Sequence, residues 1–215
     1  QEGREEAKHA VGRLALVFAE KINHQNHLGV DLNGYLGGNV FNDINKPEAM
    51  KGRIINNINN QGTGDFAVAI NNAEQLTTSD YQLTFDSASH YQLIRNTDHQ
   101  VVSTGNLSGF PASIDVDGFS LNITDGHFMA GDKFTISPTN HAGRDFQVAI
   151  VNADKLALGL PIVTDASPQN SGSGLIHLTE VIDTTSSTFS LDRQLNPPIQ
   201  IDFMSDTRYR LINAN

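Results

Sequence analysis

Between residues 4 and 28 apolar side chains return every three or four positions, at Ala7, Val11, Leu14, Phe18 and Ile22. This spacing predicts a helix with one apolar seam. Ala10, Ala15 and Val17 widen the seam, while Arg4, Glu5, Lys8, Arg13, Glu20 and Lys21 fall mostly off it. Glu2, Glu5 and Glu6 at the start and His24 and His27 at the end suit the helix dipole, and Gly29 stands where a left-handed cap is wanted. No other segment carries a comparable helical period. A helix this long with so narrow a seam is built to lie along another helix; packing of the seam on the chain's own β body is the plainer alternative.

After a turn-rich connector, Val30 to Phe41, with Asn33-Gly34 and Gly37-Gly38 as its breaks, the pattern changes from helical to alternating. A short helical turn is expected at Pro47 to Gly52, a strand or polar edge at Arg53 to Asn60, and a loop at Gln61 to Gly64. Tyr81, Leu83 and Phe85 then face one way with Gln82 and Thr84 the other, as do Ile199, Ile201 and Phe203 against Gln200 and Asp202. Period two of this kind predicts antiparallel sheet with one wet face. Strands are expected at 66–70, 81–86, 90–95, 100–103, 113–116, 119–123, 133–137, 146–151, 175–180, 187–191, 199–204 and 208–213. Asp117-Gly118, Asp125-Gly126 and Gly131-Asp132 are read as turns, and residues 153–174 as a long excursion between sheets.

Part of this β pattern comes back in altered form. Asp65 to Leu76 reads beside Asp145 to Leu156, and Gln82, Phe85, Tyr91, Leu93 and Ile94 beside Gln200, Phe203, Tyr209, Leu211 and Ile212. The fold class expected is therefore mainly β with an N-terminal α-helical segment, its antiparallel β domains containing a diverged internal repeat. Residues 1–45 are read as helix and connector, 46–160 as a first β unit, and 161–215 as the excursion and a second, truncated β unit.

Composition narrows the chemistry. A formal charge of −10, with 14 Lys and Arg against 24 Asp and Glu, argues against a groove that tracks nucleic-acid phosphates. The absence of cysteine removes disulfides, thiol nucleophiles and thiolate metal sites together. No apolar run reaches the length of a membrane span and no cleavable signal is visible. His24, His27 and Glu20 could place a metal-binding face on the helix, but two histidines in a solvated last turn are the simpler reading. Asp115-Val116-Asp117-Gly118 begins like a calcium loop and lacks its later ligands, Gly126 standing where the closing Glu belongs. Asn106-Leu107-Ser108 and Asn122-Ile123-Thr124 match a glycosylation sequon, a weak signal. There is no Gly-x-Ser-x-Gly, and Gly34 to Gly38 leads into no Lys-Ser/Thr, so neither a hydrolase elbow nor a phosphate loop is present. No catalytic residue, cofactor or metal is expected.

Several motifs, in order, carry a family resemblance. Leu16 to Phe41 is similar to the end of a core helix and the following connector in the flagellar hook-associated protein 1 family, the hook-filament junction proteins. Gln75 to Leu83 resembles that family's leucine, small-polar, Asp-Tyr, hydrophobic signature, and Gly131 to Thr139 its Gly-Asp-x-Phe-x-hydrophobic-x-Pro-Thr strand. Thr188 to Leu191 and Asn196 to Phe203 extend the likeness, while Val40-Phe41 departs from the paired aromatics common in the family.

The resemblance implies a middle fragment: the outer part of an axial helical domain with a projecting β domain. It implies a structural adaptor of the bacterial flagellum, extracellular and exported without a cleavable signal peptide. Its expected partners are copies of itself in a ring, the hook and neighbouring hook-associated proteins, and an export chaperone acting through the termini. Neither nucleic acid nor membrane is expected as a partner. Val11, Leu14, Phe18 and Ile22 are then the expected helix-packing residues, with Asp31, Gly34 and Phe41 in the connector that holds the β body. The fragment alone offers too little seam for a stable interface and is expected to be monomeric in dilute solution. The competing reading is an extracellular adhesin or carbohydrate-binding β module, for which only Tyr35, Tyr81, Tyr91 and Tyr209 are available as sugar platforms, Tyr91 and Tyr209 standing at matching repeat positions and so expected to be committed to packing.

Overall fold

The computed structural model describes residues 2–186, 189 and 198–213. Two compact units are present, each built from two stretches of chain: Gln1–Lys21 with Phe41–Gln147, and Ile22–Val40 with Val148–Asn215. The predicted helix is α1 (Glu2–His27). Its end tightens, the N–H groups of Leu28 and Gly29 donating to carbonyls three residues back. Gly29 does not take the left-handed cap expected of it. A Cβ there would lie 2.3 Å from the Ala157 carbonyl oxygen, so the glycine serves a close backbone approach.

In the first unit α2 (Pro47–Gly52) begins on proline, which suits the first helical turn, where its missing N–H costs no bond. Eight strands follow: β1 (Ile54–Asn56), β2 (Thr63–Ile70), β3 (Tyr81–Phe85), β4 (His90–Arg95), β5 (Gln100–Asn106), β6 (Ala112–Val116), β7 (Phe119–His127) and β8 (Lys133–Ile136), before the short α3 (Ala142–Asp145). Five strands form one antiparallel sheet in the order β1-β8-β3-β4-β5, and three form another in the order β2-β7-β6. Alternation decides which side chains go inside. Tyr81, Leu83 and Phe85 of β3 are buried while Gln82 and Thr84 stay partly wet, and Phe66, Val68 and Ile70 do the same on β2. All of these join one core cluster, to which α1 contributes Leu16. Phe85 stacks on Phe128 at 4.1 Å between centroids, and Phe66 and Phe134 close on each other at 4.7 Å. Such pairs favour offset or tilted contact and add to plain burial.

Several expectations change. Asp125-Gly126 is no turn: it continues β7, Gly126 pairing with Gly64 and Asp125 with Asp65. The glycines there make room for rings, since a Cβ on Gly64 would sit 2.3 Å from the Phe66 ring and one on Gly126 2.4 Å from Phe128. Residues 146–151 and 175–180 form no strand among the described residues, and the strand expected at 187–191 lies outside them except for Phe189. Asp117-Gly118 and Gly131 do turn the chain, at positive φ.

The internal repeat is not shown by the fold, because Asp65 to Ile70 lies in β2 while 145–150 has no strand. Between Asp65–Leu76 and Asp145–Leu156 the likeness is limited to single features. Asn72 and Asn152 each cap a 3-10 turn by accepting the N–H two residues on, from Glu74 and from Asp154.

The second unit holds the end of α1, the 3-10 turn Ala153–Lys155 and one antiparallel hairpin, β9 (Ile199–Ser205) with β10 (Arg208–Asn213), and is otherwise irregular among the described residues. Buried asparagines fasten its connector. Asn23 Oδ1 accepts the Val40 N–H at 2.8 Å, and Asn26 donates to the Gly38 carbonyl while accepting from the Ala157 N–H, both at 2.8 Å.

Candidate interaction surface

Helix α1 meets the body of the first unit chiefly along one side. Leu16 and Ala19 are buried there, and Gly12 brings the helix so close that a Cβ would lie 2.8 Å from the Thr139 carbonyl oxygen. Polar side chains beside this strip lock it down. His9 Nδ1 lies 2.7 Å from Thr139 Oγ1, Arg13 donates to the carbonyls of Glu74 and Leu76, Glu20 accepts the Ala73 N–H at 3.1 Å, and Lys21 pairs with Glu74 at 3.1 Å. The turn that Arg13, Glu20 and Lys21 grip, residues 73–76, leads into the Leu-small-Asp-Tyr motif. Enlarging Gly12 would push the helix off this seat. Gly12→Val is expected to lower the stability of the first unit by about 1–3 kcal/mol, as overpacking does, read as an earlier midpoint in urea unfolding.

The predicted seam occupies a different side. Successive helical residues turn by about 100°, so Val11, Leu14 and Phe18 fall well round from Gly12, Leu16 and Ala19. Val11 is 62% exposed and Leu14 67%. Phe18 is half-exposed, one edge held by Phe41 and Phe146, which stack on each other at 4.4 Å. Val17, read as part of the seam, instead packs against the core. Ile22 is half-buried within the second unit. The packing strip itself was missed in the sequence, although Gly12, Leu16 and Ala19 stand at helical spacing; the small size of Gly12 and Ala19 hid it.

The connector residues fall in different units. Phe41 belongs to the aromatic group of the first unit. Asp31 and Gly34, in the second, build one turn: Asp31 Oδ1 accepts the N–H groups of Asn33 and Tyr35 at 2.8 and 3.0 Å, and Gly34 sits at φ 86°. Burial would raise the Asp31 carboxyl. The Tyr35 and Asn33 N–H groups and the Lys155 ammonium, 3.4 Å away, outweigh it and hold the group below the usual carboxylate range.

Buried charge in the first unit serves packing. Arg53 is 2% exposed and donates to the Val68 and Ile44 carbonyls and to Asn45. Burial brings its guanidinium down to about 10 against the opposing pull of Asp145 and Asp43, leaving it charged at neutral pH. Burial, with help from Asp117, pushes the Tyr81 hydroxyl up to about 12.

The four tyrosines make no sugar platform. Tyr81 is a core residue bonded to Asp117 at 2.6 Å, and Tyr91 packs beside the core. Lys155 lies over the Tyr35 ring at 5.4 Å. Tyr209 is exposed, correcting its expected commitment to packing. Among the described residues no three His, Asp or Glu side chains gather as metal ligands, and no helix is long and apolar enough to cross a membrane.

Known proteins match this architecture. Residues 54–138, the strand-bearing part of the first unit, fit the family model described as flagellar hook-associated protein 1, D2-like domain. The flagellar hook-associated protein 1 of Escherichia coli K12 is 28% identical over 177 residues, covering 81% of this chain and 30% of its own length. That of Salmonella typhimurium LT2 is 26% identical over 185 residues, covering 81% and 31%. The chain therefore spans less than a third of these relatives. Among solved structures, the flagellar hook junction protein FlgK from Burkholderia pseudomallei superposes with a TM-score of 0.61 at 34% identity, over 71% of this chain and 26% of that one. Domain model, relatives and solved structure agree in the likeness they show, that of this chain to the flagellar hook-associated protein 1 family.

Proposed function

We propose that this chain is part of a structural adaptor of the bacterial flagellum that joins hook to filament, assembles with copies of itself and transforms no molecule. The observation that carries the reading is the strip of exposed Val11 and Leu14 and half-exposed Phe18 on a helix whose other side is seated at Gly12, Leu16 and Ala19. Large apolar side chains aligned on a helix at spacings of three and four are the usual anchors for a second helix. The polar β body, held by its own core, then works as a projecting spacer. Location outside the cell, export without a cleaved leader, contact with the hook and neighbouring hook-associated proteins, and a chaperone acting through the chain's ends belong to the same proposal. Deleting the gene tests it. Cells should keep their hooks, lose their filaments and stop swimming, with filament protein accumulating in the medium. Filaments still fastened to hooks would refute the adaptor role.

A further inference from the structure

The exposed strip on α1 follows a seven-residue repeat. Arg4, Val11 and Phe18 form one series and Ala7, Leu14 and Lys21 another, interleaved at spacings of three and four. These are the seam positions of a two-helix coil, and here both ends of the seam are cations while its middle is apolar. Lys8 stands on the flank. The acids of α1 lie elsewhere: Glu5 and Glu20 fall toward the seated side, and Glu6 falls past Val17, outside the exposed arc. Lys8 meets Glu5 at 3.5 Å and Lys21 meets Glu74 at 3.1 Å, but all four of these side chains are more than half exposed. A chain of net charge −10 therefore offers a seam with positive ends.

That pattern discriminates between occupants. A second α1 laid parallel and in register would set Arg4 against Arg4 and Lys21 against Lys21. Laid antiparallel, with Val11 opposite Leu14, it would set Arg4 against Lys21. Like charges meet either way. We infer that the strip takes a different helix, one carrying a carboxylate at each end of its own apolar seam, about 26 Å apart, and refuses a second copy of α1. This rests on the reading of the strip as a helix-packing site and adds the chemistry of the partner.

Peptide binding to residues 1–215 tests it. Helix-forming peptides would share one leucine seam and carry Glu, Gln or Lys at two end positions spaced as Arg4 and Lys21 are, so that either orientation presents the same charges. Fluorescence anisotropy at low salt should rank them Glu, Gln, Lys, with at least about a tenfold difference in Kd between first and last that shrinks as salt is raised. Arg4→Glu combined with Lys21→Gln should reverse the ranking, and Leu14→Asp should abolish binding of all of them. Equal affinity for the peptides overturns the inference and leaves the helix-packing reading standing; binding of none overturns both. A dimer of residues 1–215 in sedimentation that Leu14→Asp dissolves also overturns the inference, since the occupant would then be a second α1.

Discussion

Leu14→Asp in the full-length protein is expected to leave each subunit folded and to abolish attachment of the filament. Leu14 is 67% exposed, so the fragment carrying the change should melt close to the unaltered chain, as surface substitutions usually do. In an assembled helix interface the same carboxylate would lose its water without gaining a partner, at a cost of several kcal/mol per subunit. Swimming, filament retention and a calorimetric scan of the fragment separate the two effects. Wild-type swimming would show that the strip carries no assembly contact. Phe18→Asp is a less selective probe, since it also strips the edge contacts with Phe41 and Phe146, each worth about 0.5–1.5 kcal/mol.

Asp132→Ala is expected to give the largest loss of stability among polar substitutions in the first unit. The carboxylate is 2% exposed and accepts three backbone N–H groups, from Gln61 at 2.8 Å, Gly62 at 3.0 Å and Met129 at 2.8 Å. It pins the loop entering β2 to the turn before β8. Removing it strands buried donors, for about 3 kcal/mol or more, read from denaturant midpoints. Burial alone would raise this carboxyl, but the Met129, Gln61 and Gly62 N–H groups and the nearby His127 hold it below its ordinary value of 3.8. The stabilisation is therefore complete above that ordinary value and fades as pH falls through the lower value of the folded state. The unaltered unit should lose stability over that acid range, and the Asp132→Ala unit should lose less. Identical acid profiles would remove Asp132 from the account.

Much of this architecture was legible in the chain. The helix, the strands that cross the core and the turns at Asp117-Gly118 and Gly131 follow from periodicity and from residues that tolerate positive φ. What could not be read is where glycine acts by size. Gly12, Gly29, Gly64 and Gly126 look like breaks in sequence, yet each allows a backbone or ring to approach within the space of a methyl group. Nor does alternation by itself make a strand. DFAVAI becomes β2 because β7 pairs with it, whereas Asp145 to Ile150 forms no strand in spite of the same pattern. The seam was readable because Val11, Leu14 and Phe18 are large. The packing strip was not, because Gly12 and Ala19 carry little apolar bulk.

The central claim is that α1 holds copies of this protein together through the strip its own body leaves bare. An electron-microscopic reconstruction of the assembled hook-filament junction, with side chains traced on α1, tests it most directly. The account predicts Val11, Leu14 and Phe18 enclosed against helices of the same or a neighbouring copy; finding those three side chains facing open solvent in the assembled junction would contradict it.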